Sequence, residues 1–317
     1  IFLERSIVMT KYICKRIIMA ILTIWAITTV TFFLMHAVPG NPFNKEGKMP
    51  DAVYQNLQKK YGLDKPKSEQ YFIYLKNLLK LDFGDSMKSD VETVNEMIKR
   101  GFPVSAYLGL EALLIALVIG PALGALAALY QNKFPDYLSM IIAIIGISVP
   151  SFIMGTVLIQ FVAKKVAWLP IGGWGSFKHT ILPAIAMSLM PLAYTARLMR
   201  SSMLEVLGQD YIKTATSKGI SKSKVIIKHA VRNAILPIIS VLGTLVSNLL
   251  VGSFVIEKIF GIPGLGSFFV RSINNRDYTL IMGTTIFYSI ILVTALLLVD
   301  IAYMLIDPRI RLMEEGN

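Results

Sequence analysis

The chain has 317 residues, of which 54% are hydrophobic and only 16% charged, and its mean hydropathy is +0.60. A soluble globular protein carries roughly a quarter of its residues charged, so this composition excludes that class and describes an all-α integral membrane protein. The net charge of +12 suits nucleic acid, but the basic residues lie between and beside apolar runs, which the positive-inside rule explains more simply.

Residues 1–8 precede Met9-Thr10-Lys11-Tyr12 and are set aside as upstream of a natural start. Cys14 is the only cysteine, so no intramolecular disulfide is available. Six spans are expected, each near the ~20 residues that cross the hydrocarbon core. The first, in 9–36, covers about Ile17–Met35 behind Lys11, Lys15 and Arg16. Its apolar run is longer than that of a signal peptide and no small-residue cleavage site follows, so it reads as a retained helix.

Residues 37–101 form the one large loop, predicted to be extracytoplasmic. It opens on the turn cluster Pro39-Gly40-Asn41-Pro42. Within Ser68–Leu81, Phe72, Leu75, Leu78 and Leu79 are predicted to share a helix face. The loop has too few apolar positions for its own core, so it is expected to pack on the membrane part. Asp82-Phe83-Gly84 spells the kinase metal-binding triad, but no other kinase element accompanies it; it reads as a turn.

The remaining spans lie in 102–306. The second is predicted over about Val104–Tyr130, where Gly120, Gly124 and Ala128 make a small-residue step that admits another helix closely. The third covers about Tyr137–Ala163 and is interrupted at Pro150-Ser151. A proline there frees a carbonyl and kinks the helix: a hinge, a pathway wall or an ordinary kink. The fourth, about Thr180–Leu198, contains Pro183 and Pro191, the latter grouped with Pro150, Ser151 and Asp300 as candidate pathway or hinge positions.

Residues 201–233 form a polar, basic inner loop. Asp210–Lys218 reads as a short helix closed by Gly219, and Ser221 is placed to cap a second. In that second helix Val225, Ile226, His229 and Ala230 form an apolar stripe flanked by Lys222, Lys224, Lys228 and Arg232. Such an element is suited to docking on a protein partner or lying on anionic lipid; the residues alone leave both open. The fifth span follows over about Ala234–Ile256. Segment 257–277 is predicted to be a re-entrant outer loop built on Glu257, Gly261, Pro263, Gly264 and Gly266; its glycine spacing is wrong for dinucleotide binding. The sixth span covers about Tyr278–Val299, extending to Ile306, and 307–317 is a cytoplasmic tail.

With both termini inside, the inner segments carry fifteen basic residues and the two short outer loops six, which places 201–233 in the cytoplasm. No metal-ligand cluster, nucleophile elbow or phosphate-binding loop occurs, so the chain is expected to be no enzyme by itself and to bind no metal or cofactor. Glu111 and Asp300 interrupt apolar spans. Each is a candidate for a cavity-lining hydrogen bond or, alternatively, an ion relay.

The run Asp210-Tyr211-Ile212-Lys213-Thr214-Ala215, then Gly219, His229-Ala230, Arg232-Asn233-Ala234 and Leu236-Pro237, resembles the cytoplasmic signature loop of ABC importer permeases. Together with Val255-Ile256-Glu257, Phe260–Gly266, Asn275-Arg276-Asp277-Tyr278 and Asp307-Pro308-Arg309-Ile310, it resembles the first permease of the dipeptide/oligopeptide/nickel group. That resemblance implies a type I importer fold and a half-transporter. Its partners would be a second homologous permease, two ATPases that bind ATP and Mg, and an extracytoplasmic peptide-binding protein, in a bacterial plasma membrane. It implies an ATPase-coupling interface at Tyr211, Lys213, Thr214, Ala215, Gly219, Ser221, Lys224 and Val225. Lys213 stands where the general motif has a glutamate, so it is expected to seek an acid or carbonyl on the ATPase. Peptides are the expected substrate, with nickel or another small solute as the alternative. A channel or ion-coupled carrier using Glu111 or Asp300, or an intramembrane enzyme, is the reading from another class.

Overall fold

A computed structural model describes residues 2–38, 42–43, 50–89, 91–250 and 254–306. The expected turn at Pro39-Gly40-Asn41, the Asp307-Pro308-Arg309-Ile310 motif and the tail lie outside the described residues. The helices in order are α1 (Phe2–Ala37), α2 (Asp51–Lys60), α3 (Lys67–Leu78), α4 (Val94–Leu129), α5 (Phe134–Ser148), α6 (Ser151–Leu158), α7 (Lys178–Leu207), α8 (Asp210–Ser217), α9 (Lys222–Lys224), α10 (Arg232–Ala234), α11 (Leu236–Leu250), α12 (Phe254–Phe260), α13 (Leu265–Asn275) and α14 (Tyr278–Ile306). Wider π-wound turns continue α6 over Ile159–Ala163 and join α9 to α10 over Val225–Val231. Among the described residues the one β-type pairing is an isolated bridge between Asp85 and Thr93.

Among the described residues four helices are long and apolar enough to cross a membrane, in Tyr12–Ala37, Val94–Leu129, Lys178–Leu207 and Tyr278–Ile301. Two bent pairs raise the number to six if each is one span: Phe134–Ser148 with Ser151–Ala163 at 109°, and Lys222–Ala234 with Leu236–Leu249 at 50°. The first bend is much sharper than a kink. Pro150 has no N–H to donate and drives the preceding residue out of the helical region; Val149 accordingly sits at φ −93°, ψ 118°. The expected continuation of the fifth span through 251–253 lies outside the described residues. At 15 residues α11 is about 22 Å long, less than the hydrocarbon thickness, and qualifies only together with the rod before it.

The chain divides into two compact units, Ile1–Val104 with Pro263–Leu297, and Ser105–Ile262 with Leu298–Asn317. In the first, described residues between α1 and α4 pack on the helices of the same unit. Phe83, Val94, Met97 and Ile98 pack with Leu265, Phe268, Leu280 and Ile286. The Asp82-Phe83-Gly84 turn is what docks this segment. Gly84 lies at φ +88° and its N–H donates to Asp82 Oδ1 at 2.9 Å, which directs Phe83 inward to 5% exposure.

The apolar face of α3 differs from the expected one: Phe72 and Leu79 are exposed. Tyr71 instead meets Phe32 and Phe33 of α1 and shares a 2.6 Å hydroxyl hydrogen bond with Thr29, while Tyr74 and Leu78 pack on the core. Burial pushes the Tyr74 phenol above its ordinary pKa.

Asp277 fastens this unit. It is 1% exposed and accepts from Ser86 Oγ, from Met87 N–H at 3.1 Å and, as the N-cap of α14, from Leu280 N–H at 3.1 Å. Asp277→Ala strands three donors, two of them buried, and is expected to destabilise the docked loop by about 3 kcal/mol. Limited proteolysis should then cleave within 79–93 at least several times faster than in the parent; unchanged protection would refute the anchor.

Candidate functional site

The second unit builds its base from close helix packing. Gly120 and Gly124 of α4 face α7 so closely that a Cβ at Gly120 would strike Thr195 and one at Gly124 the Ala196 carbonyl. The expected small-residue step is therefore a real helix contact. Thr195 is fully buried and donates to the Ala116 carbonyl of α4 at 3.1 Å. Below this seam Met199 and Met203 of α7 meet Ala128 of α4, Ile212 and Ala215 of α8, and Val225, Ala230, Ala234 and Ile238.

The two helices of the inner loop form on this platform. Gly219 closes α8 at φ +75°, with its N–H on the Thr216 carbonyl at 3.0 Å and that of Ile220 reaching back to Ala215 at 3.4 Å. This is the left-handed closure expected from the sequence. Ser221 takes the N-cap position of α9 but makes no side-chain cap hydrogen bond, so its expected capping role is corrected. Across the turn, Asn233 Nδ2 donates to the Tyr211 hydroxyl at 3.1 Å and to the His229 carbonyl at 2.8 Å. The sequence reading did not assign Asn233 this role.

The apolar stripe is spent within the chain rather than offered outward. Ala215 and Val225 are 7% and 5% exposed and belong to the core of the base. Both are covered by the chain's own residues, which leaves neither open to direct contact from outside. The outer face carries Tyr211, Lys213, Thr214, Lys218, Lys222, Lys224 and Lys228, all exposed, with Ile227 at 69% exposure as its apolar point. Lys213 has its acid within this chain, Asp210 at 2.9 Å. The pair is open to solvent and of little energetic weight.

Of the candidate hinge positions, Pro150 breaks its span and Ser151 begins α6. Pro191 is buried in a continuous α7, its carbonyl accepting from Thr195 Oγ1 at 2.9 Å. Asp300 is half-buried in α14, next to Val299, whose methyl groups fill the space at Gly243. Glu111 in α4 is half-buried with its Oε2 covered and unpaired.

Of the residues named in segment 257–277, Glu257, Gly264 and Gly266 are buried while Gly261 and Pro263 are exposed. Glu257 is fully buried on α12 and accepts from Ser105 Oγ at 2.6 Å. Gly155 of α6 lies against Ile256 and Phe260, and Gly173 N–H donates to the Phe260 carbonyl at 2.6 Å. Gly261, at φ +65°, turns the chain after α12. In the other unit, exposed Pro263 precedes Gly264, the N-cap of α13, and Gly266 is buried near its start. Among the described residues no group of three or more His, Cys, Asp or Glu is placed to hold a metal ion.

These features can be set against known proteins. Residues 120–312 match the family described as binding-protein-dependent transport system inner membrane component, and residues 9–108 match its N-terminal counterpart. The dipeptide transport system permease protein DppB of Bacillus subtilis is 53% identical over 308 residues, covering 97% of this chain and all of that protein. The oligopeptide transport system permease protein OppB of Haemophilus influenzae is 44% identical, covering 96% and all of that protein. DppB of Lactococcus lactis is 42% identical with the same coverage. The chain thus belongs to the inner-membrane permease family of binding-protein-dependent ABC transport systems, in its dipeptide/oligopeptide/nickel group.

Proposed function

We propose that this chain is one of two homologous permeases in an ATP-driven importer of di- and oligopeptides. The observation that carries the reading is the split personality of α8–α10. Their apolar residues are consumed in the base of the unit, while a basic face with Tyr211 and Ile227 at its surface stays uncovered. A helix pair rigidly seated on α4 and α7, but open outward, is suited to receive force from a partner.

No phosphate-binding loop occurs in the sequence, so ATP and Mg would be held by two partner ATPases, and this chain is no enzyme by itself. Closure of those ATPases would push on the Tyr211–Lys224 face, and α7 would carry the movement into the spans as alternating access. In this reading the chain crosses a bacterial plasma membrane six times, with both termini cytoplasmic. The 37–101 segment and the 257–277 loop face the extracytoplasmic binding protein that delivers substrate.

Peptide as substrate is supported by the names of the relatives, which are dipeptide and oligopeptide permeases. The test is reconstitution with the partner permease, ATPases and binding protein, followed by competition between labelled di- to pentapeptides and nickel. ATP-dependent peptide uptake stimulated by loaded binding protein is the expected result. Failure to form a complex with an ATPase removes the importer reading; nickel uptake without peptide uptake removes the substrate.

A further inference from the structure

We propose that Asp136 and Arg200 form a positioning pair that makes α5 follow the base of α7, so that movement of the coupling helices reaches the Pro150 break. The proposal rests on the coupling reading of α8–α10 and adds to it the device that carries the motion onward. Arg200 lies two turns before the end of α7, about 10 Å from its last residue Leu207, and only Gly208 and Gln209 separate α7 from α8. Its guanidinium grips Asp136 with both arms of the fork, Nε on Oδ1 at 2.6 Å and Nη2 on Oδ2 at 2.8 Å. Oδ2 also accepts from the Asn132 N–H at 2.9 Å. The carboxylate therefore ties the turn before α5, and the start of α5 itself, to α7.

The environment argues for positioning rather than for stability alone. The Asp136 side chain is 3% exposed and that of Arg200 25%. The desolvation of such a pair consumes much of its attraction, so it adds little net stability over an apolar pair. A bidentate fork does fix direction and register. Near the far end of α5, two residues before its last, Gly146 provides a second fastening: a Cβ there would lie 2.7 Å from the Leu189 carbonyl and 2.9 Å from Ala193 Cβ, both in α7. Held at its foot and along its side, α5 is a rod that cannot slide on α7. Its far end is the Val149-Pro150 break, beyond which α6 packs through Gly155 on Ile256 and Phe260 of α12. A tilt imposed on the base of α7 would then appear at the one sharp bend of the span.

The experiment uses the reconstituted complex with its ATPases and binding protein and reads peptide imported per ATP hydrolysed. Asp136→Asn keeps an acceptor for Asn132 but loses the charge; Arg200→Lys keeps the charge but loses the fork. Both should assemble and hydrolyse ATP. The import ratio should fall about tenfold in Asp136→Asn, the upper range for residues that modulate coupling without touching ligand, and less in Arg200→Lys. A purely structural role would alter assembly or yield but leave the ratio of assembled complexes untouched. An unchanged ratio in Asp136→Asn, or failure of both variants to assemble, overturns the proposal; should only Asp136→Asn fail to assemble, a lowered ratio in Arg200→Lys supports it and an unchanged one overturns it. Parent protein that assembles with its ATPases but shows no ATP-dependent uptake removes the functional reading itself, a result distinct from either.

Discussion

Gly124→Ala is expected to abolish recovery of a folded permease, an effect out of proportion to one added methyl group. The new Cβ would fall on the Ala196 carbonyl and 2.7 Å from Met199 Cβ. Overpacking by flexible side chains commonly costs 1–3 kcal/mol. Here the first obstacle is backbone inside α7, which cannot turn aside without breaking its helical hydrogen bonds. The displaced turn also carries Met199, which with Met203 forms the platform for Ile212, Ala215 and Val225. The damage would thus pass directly to the coupling pair. Gly208→Ala is the control: its Cβ would meet Glu205 O at 3.4 Å, an ordinary contact, at an unstrained φ of −78°. Fluorescence-detected size exclusion of tagged protein, co-expressed with its partner permease, should show a monodisperse peak for Gly208→Ala and loss of that peak for Gly124→Ala. Normal elution of Gly124→Ala would refute the packing argument.

The features most legible in the sequence were those whose cause is local. Gly219 ends a helix because its backbone adopts a conformation that residues with a side chain resist, and Pro150 breaks one because it lacks a donor; both effects act within a turn. The Gly120–Gly124 step also announced a close helix contact, though not that α7 would supply it. What remained hidden depended on the partner of each surface. Spacing at 3.6 residues revealed the Val225–Ala230 stripe without saying whether the chain itself or another protein would cover it. Ile227, which the stripe leaves out, is exposed, and Val225 and Ala230 are buried. Phe72 and Leu79 fitted a helical stripe, yet α3 turned Tyr71 and Tyr74 inward because Phe32, Phe33 and Thr29 were available there.

The start of α4 was legible and overlooked. Thr93 and Glu96 form a reciprocal capping box, with Glu96 N–H on Thr93 Oγ1 at 3.2 Å and Thr93 N–H on Glu96 Oε2 at 2.9 Å. Hydropathy places the span ten residues later, since Glu96, Lys99 and Arg100 are charged. The helix begins before its apolar part does. Asp136 and Arg200 are 64 residues apart, and no local rule connects them.

Gly219→Val should leave the protein inserted and complexed but reduce peptide uptake about tenfold, the equivalent of ~1.4 kcal/mol. Space is not the reason, because a Cβ at this position meets nothing within 4 Å. The cost is in the backbone: at φ +75° an L-residue pays roughly 1–2 kcal/mol, and a β-branched one is the least tolerant. Relief of that strain would rotate the turn and loosen the Gly219 N–H and Ile220 N–H bonds that close α8. The exposed face of α8 would then lose its fixed angle to the rod of α9 and α10, which the Asn233–Tyr211 hydrogen bond at 3.1 Å otherwise sets. Membrane insertion should be spared, as Gly219 lies in a polar segment between apolar runs. Gly219→Asn separates conformation from mere substitution, because asparagine visits the left-handed region more readily; it should retain most of the uptake lost in Gly219→Val. Equal activity of the valine variant and the parent would remove the geometric role of this turn. Equal damage from asparagine and valine would instead mean that the partner ATPase needs bare backbone at this point, not a particular angle between α8 and α9.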